Sequence, residues 1–343
     1  AYVCVVGTTD TSLIPGITVA GASPELTMYT PPADAEYVLL GRCRCIPTIP
    51  VTPEGIPTPA LITRASIKLS NAPALVAVGG LKVKPMAPYI DLGGEHGGDI
   101  RTGRALPRET VSEVYERAKL LGRELSKACD FLVIGESIPA GTTTALAVMV
   151  AVGVDAWGRV SSAMPNNPHQ LKSEVVREAL RNAGIEPGSC TDDPLAAVSA
   201  VGDPVIPAFA GLAAGASKDV LVIAAGGTQM GAVLSLLKSL EPDALENVAV
   251  GTTRWILEDP SSDLVGLVKQ IGRIPILAAK LDFSQTSIEG LRYYERGFVK
   301  EGVGAGGSAI AAMLKSRGGI SAKRIVREVE RDYTSLTTKG YAE

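Results

Sequence analysis

Residues 131–153 read FLVIGESIPAGTTTALAVMVAVG. Phe131 to Ile134 is a short apolar run with the length and composition of a buried strand. Gly135-Glu136-Ser137-Ile138-Pro139-Ala140-Gly141 is too rich in glycine and proline to extend a strand or start a helix within it. Thr142, Thr143 and Thr144 then open an Ala/Leu/Val/Met run that predicts a helix buried on most faces. Strand, glycine loop and helix with hydroxyls at its start form an anion site, because free N–H groups and the helix dipole both favour a phosphate there. Glu136 sits inside that loop, where it would repel a phosphate. Its charge needs another use.

The same unit recurs downstream. Asp219 to Ala225, then Gly226-Gly227-Thr228-Gln229, leads into a helix from Met230 to Leu240. Val248-Ala249-Val250 with Gly251-Thr252-Thr253 is a third candidate, and Ile276 to Phe283 a further strand. Residues 297–317, GFVKEGVGAGGSAIAAMLKSR, hold a second glycine-rich loop with one acid, Glu301, among Gly302, Gly304, Gly306 and Gly307. A helix follows from Ala309 to Lys315, and a charged helix from Ser321 to Tyr333. Upstream, Tyr2 to Val6 and Leu75 to Val78 predict strands, and Tyr37 to Leu40 a further one. Ile46 to Ala60 carries five prolines and predicts an extended connector.

Amphipathic helices are expected over 108–128, capped by Thr110, and over 167–182. Lys172, near the start of the second, opposes the helix dipole, so it either meets a ligand anion or extends to solvent. Asp193 and Pro194 suit a cap and first turn, and Val205 to Ala216 is a helix of small residues. The polar stretch 82–104 is long for a loop and either lines a pocket or is a solvated excursion.

Alternating strands and helices predict an α/β fold: a Rossmann-like parallel sheet with helices on both faces. A smaller, mainly helical domain is expected beside it. We assign residues 1–60 to an N-terminal segment and connector belonging to the small domain. Residues 61–300 form the large α/β domain, and 301–343 the glycine loop and C-terminal helices. Ligands of such folds bind at the carboxyl ends of the strands, where the Glu136, Gly226 and Glu301 loops should converge.

The 343 residues are 46% hydrophobic with a net charge of −3, enough for a large core and without a basic block. That argues against nucleic acid or an anionic membrane as partner. No apolar run reaches the length of a membrane span and no basic leader precedes the first strand, so a cytoplasmic protein is expected. Of five cysteines, Cys43 and Cys45 form C-x-C, which with two histidines makes no zinc pattern; no metal is expected.

GESIPAGTTTALA (135–147), KEGVGAGGSAIAAML (300–314) and the stretch 193–230 between them resemble the nicotinate-nucleotide–dimethylbenzimidazole phosphoribosyltransferase family, in particular its archaeal members. The likeness covers most of the chain. It implies transfer of the ribose phosphate of nicotinate mononucleotide to a benzimidazole-type base. The product would be an α-ribazole phosphate for the lower ligand of a cobamide. It also implies no cofactor and a homodimer.

Residue by residue, the resemblance makes Glu301 the catalytic base and Glu136 its partner at the ribose. It assigns substrate contacts to Gly135, Ser137, Gly141, Thr142, Thr143, Lys172, Gly226, Gly227, Thr228, Gly302, Gly304, Gly306 and Gly307. Two departures stand out. Pro139-Ala140-Gly141 replaces the family's I-G-N, and Gly80-Leu81-Lys82-Val83 stands where the family has DHGV. The base pocket should therefore differ. Adenine or a phenolic as acceptor, or a nucleotide-binding module without turnover, are the alternatives.

Overall fold

The computed structural model describes residues 1–339. Seven strands make one parallel sheet: β1 Tyr2–Gly7, β2 Ala74–Gly80, β3 Ile90–Asp91, β4 Phe131–Ser137, β5 Leu221–Ala225, β6 Val248–Thr253 and β7 Ile276–Ala279. Their order is β3-β2-β1-β4-β5-β6-β7. The chain builds outward from β1 to β3, then returns to the other side of β1 and builds outward again. The order reverses between β1 and β4, and a crevice opens at the carboxyl ends of such a pair.

Burial on both faces explains the near-continuous apolar strands. Successive side chains point to opposite faces, and the core divides accordingly. Val3, Val5, Leu132, Ile134, Val222 and Ala224 lie in one cluster with the helices Arg108–Ser126, Gly141–Ala151, Val205–Ala216 and Met230–Leu240. Tyr2, Cys4, Val6, Val133, Ile223 and Ala225 lie in the other. There they meet the helices Thr30–Leu40, Ala60–Ser70, Ala305–Lys315 and Ala322–Lys339. The second face therefore joins the two ends of the chain. Lys68 on the helix Ala60–Ser70 bridges Glu328 and Asp332 on the last helix at 2.6 and 2.8 Å.

Several expectations change. Strand β1, expected in a small N-terminal part, lies in the middle of the sheet between β2 and β4. Tyr37 to Leu40 is the end of the helix Thr30–Leu40, not a strand. Its prolines fall in the first turn, where no helical N–H is lost, and Gly41 ends it in the left-handed conformation (φ 73°). Strand β4 does not stop at Ile134. Gly135, Glu136 and Ser137 stay in register with Cys4, Val5 and Val6, so the neighbouring strand holds them against their weak strand propensity.

Strand β6 likewise runs on to Thr253, while β7 ends at Ala279, short of Phe283. The glycine-rich helix starts at Ala305 rather than Ala309. Thr110 is inside the helix Arg108–Ser126 and does not cap it. Asp193 does cap its helix, accepting from the Ala196 N–H. Residues 82–104 fold back over the ends of β1 and β2. Gly97 donates to the Thr8 carbonyl, and His96 bridges Thr8 and Asp10 at 2.8 Å each. None of them lines the cavity at the carboxyl end of β4.

Candidate active site

At the switch between β1 and β4 lies a cavity of about 150 Å³. Its floor is the end of β4, where Glu136 and Ser137 stand before the turn into the helix Gly141–Ala151. Its wall on one side is Glu301, Gly302 and Val303; on the other it is the proline-rich connector. The turns that shape it are strained. Ala140, Val299 and Val303 all line it and all have positive φ, at 63°, 46° and 54°. A β-branched residue is rare there and costs energy. Gly302, at φ 147°, occupies a region that only glycine tolerates.

Glu301 is held by main-chain donors. The Thr253 N–H gives to Oε2 at 2.9 Å and the Gly306 N–H reaches both oxygens at 3.2 and 3.3 Å. Burial raises the Glu301 carboxyl to about 7 despite these donors. Glu136 is 2% exposed and accepts one bond, from Gln229 Nε2 at 2.6 Å. Burial, then the acids Asp203 and Glu301, push it well above the usual carboxylate range. Two acids in one site thus separate by environment. Burial and neighbouring acids favour the protonated form of Glu136, and Glu301 titrates near neutrality.

A cationic end adjoins Thr142, Ser161 and Ser162, which line the cavity. Behind them Lys172 is fully buried. Its Nζ donates to Thr142 Oγ1 at 3.1 Å, the Ser161 carbonyl at 2.6 Å and Asn167 Oδ1 at 3.1 Å. The solvent-exposed reading of this lysine is overturned, because it has no path to water. Burial and then Lys300 bring its ammonium down to about 7. Lys300 is also buried and lowered by burial; it pairs with Asp259 at 3.2 Å. An incoming anion would favour the charged form of both lysines.

A family model described as phosphoribosyltransferase matches residues 72–281, more than half of the chain. The UPF0284 protein of Sulfolobus acidocaldarius is 51% identical over 336 residues, covering 98% of this chain and 95% of the relative. That of Sulfurisphaera tokodaii is 50% identical over 337 residues, covering 98% and 94%.

The chain belongs to this phosphoribosyltransferase family.

Solved structures agree in fold. The nicotinate-nucleotide–dimethylbenzimidazole phosphoribosyltransferase of Thermus thermophilus superposes with a TM-score of 0.61 at 15% identity, covering 95% of this chain and 82% of that one. A crystal structure of CobT from the same organism gives 0.61 at 16%, covering 92% and 83%.

The residues expected to touch substrate divide into two sets. Glu136, Ser137, Gly141, Thr142, Glu301 and Gly302 line the cavity of this phosphoribosyltransferase-family chain. The others stand behind it. Gly135 lies against Gly304, where a Cβ would come within 2.9 Å of the Gly304 main chain. Gly306 presses on β6: a Cβ there would stand 1.9 Å from the Thr252 carbonyl carbon. Gly307 rests on Ala225 in the same way. These three glycines let a helix lie flat on the sheet. The Gly306 N–H, expected to face a phosphate, is used by Glu301.

Gly226 donates to the Gly251 carbonyl, and Gly227 lies beside Glu301. Thr228 Oγ1 accepts from the Ser161 N–H at 2.9 Å, so it positions a lining residue. Thr143 is fully buried, with a hydroxyl that has no partner among the described residues. Sequence reasoning missed Asp34, Gln229, Ser161, Lys300 and Asp259. Gln229 and Lys300 adjoin motifs and were findable; Asp34 carries no local signal. Burial also raises the thiols of Cys43 and Cys45, the latter to about 12, as suits unreactive cysteines.

Proposed function

We propose that this chain transfers the phosphoribosyl group of nicotinate mononucleotide to an aromatic base of the benzimidazole type, releasing nicotinate. The observation that carries the reading is a titratable carboxyl, Glu301, in one cavity with a hydroxyl-lined end backed by two buried lysines.

The mononucleotide phosphate goes to Thr142, Ser161 and Ser162, where Lys172 supplies charge through Thr142. The ribose then lies over Glu136. Burial favours its protonated form, in which Glu136 offers a hydrogen bond to a ribose hydroxyl rather than a full negative charge. The base enters on the connector side, beside Glu301. One ring nitrogen of the base attacks the anomeric carbon as the bond to the nicotinate nitrogen breaks. The electron pair leaves with that nitrogen, whose positive charge is cancelled. The N–H proton on the second nitrogen of the base passes to the Glu301 carboxylate. Holding both reactants in one cleft contributes through proximity.

The test is incubation of the protein with nicotinate mononucleotide and 5,6-dimethylbenzimidazole, adenine or a phenol. Nicotinate release that requires a base supports transfer. Nucleotide binding without release with any base would replace this reading by a binding module.

A further inference from the structure

The connector side of the cavity is walled by Pro50, Val51, Ile56 and Pro59, an apolar slot suited to a flat ring. One acid interrupts it. Asp34, on the helix Thr30–Leu40, lines the cavity and is 2% exposed. Thr58 Oγ1 donates to its Oδ1 at 2.7 Å and Ser137 Oγ to its Oδ2 at 2.7 Å. It has no ion-pair partner among the described residues. Burial raises its carboxyl to about 7 despite these two hydroxyls; once ionised it offers about four acceptor sites, of which the hydroxyls fill one on each oxygen. A pure cross-link between connector and β4 would not need a carboxyl, which is costly to bury, nor a place on the cavity wall.

We infer that Asp34 selects the acceptor by accepting a hydrogen bond from an N–H or O–H on the base, so that the favoured acceptor is a bicyclic aromatic base bearing an exocyclic amino or hydroxyl group. This rests on the transferase reading above. A site built to bond a polar group discriminates strongly against an analogue that lacks it, because its own buried acceptor is left unmet. A dimethyl-substituted ring would leave Asp34 in that state. Ser137, the residue after Glu136, donates to the selecting acid, so acceptor recognition and the ribose floor share one strand end.

The test compares kcat/KM for adenine, 5-hydroxybenzimidazole and 5,6-dimethylbenzimidazole in the wild-type protein, Asp34→Ala and Asp34→Asn, each checked for a cooperative melt. At least one donor-bearing base is expected to exceed the dimethyl base by about tenfold or more in the wild type. Which one leads tells whether the donor is amino or hydroxyl. In Asp34→Ala that ratio falls by roughly 10²-fold. Asp34→Asn, which keeps one acceptor oxygen, falls less and serves if the alanine variant does not fold. A wild-type preference for the dimethyl base, or a ratio unchanged in both variants, overturns the inference while leaving the transferase reading in place. No nicotinate release with any base overturns both.

Discussion

The N–H of Val303 donates a 2.8 Å hydrogen bond to the carbonyl of Glu136, joining the glycine-rich loop to the end of β4, far away in the chain. Val303 lies two residues after Glu301, so this bond ties the Glu301 loop to the strand end that carries Glu136. The Val303 carbonyl is fixed in turn by the Tyr2 and Thr63 hydroxyls at 2.6 and 2.8 Å. Four segments thus meet at a residue whose own backbone is strained (φ 54°). Such strain persists only where the surroundings enforce it.

Replacing Glu301 by glutamine removes the proton acceptor and keeps the shape. The variant is expected to fold and to release nicotinate about 10²-fold more slowly. Steady-state assay with saturating base measures this. Unchanged turnover would remove Glu301 from the mechanism.

The pH profile follows from Glu301 and Lys172, both set near 7 by burial. The base must be ionised, so activity rises with pH through about 7. The phosphate needs an ammonium, so kcat/KM for the mononucleotide falls again as Lys172 loses its proton above about 7. A narrow bell is expected. Glu301→Gln should lose the acid limb and Lys172→Met the alkaline one.

Stability shows the opposite side of the same shift. A carboxyl raised from 4.5 to about 7 favours the folded state at low pH, and that contribution disappears as pH climbs from 4.5 through about 7. In the ligand-free protein, the Tm of the wild type should therefore drop relative to that of Glu301→Gln across that window. A gap that stays constant would mean that folding does not raise the Glu301 carboxyl.

Lys172→Met keeps the buried stem and deletes the charge. Loss of a charged hydrogen bond to the phosphate end predicts a KM for nicotinate mononucleotide higher by about tenfold to a hundredfold. Nicotinate riboside, which lacks the phosphate, should bind variant and wild type alike. Equal weakening of both ligands would place the phosphate elsewhere.

Gly306→Ala puts a Cβ 1.9 Å from the main chain of Thr252, which cannot move aside. A loss of roughly 3 kcal/mol is expected from urea unfolding. Activity should fall further than stability alone explains, because the same N–H holds Glu301.

The sequence alone determined the strand-and-helix alternation, the parallel sheet and the two glycine-rich segments that carry Glu136 and Glu301. Apolar runs of strand length and glycine punctuation are local signals, readable without neighbours. Which strands adjoin was not local. Glu136 belongs to a strand because Val5 pairs with it, and Tyr37 to a helix because Gly41 and the buried face of the helix require one. The glycines after Glu301 looked like a phosphate cradle, yet Gly304, Gly306 and Gly307 are there so that a helix can lie on the sheet.

Only the tertiary structure decided that Lys172 is buried, that Asp34 reaches the cavity, and that burial raises the carboxyls of both Glu136 and Glu301. Those properties come from desolvation and from partners distant in the chain. Burial and charge at a point are sums over everything that folds around it, and no window of sequence contains that sum.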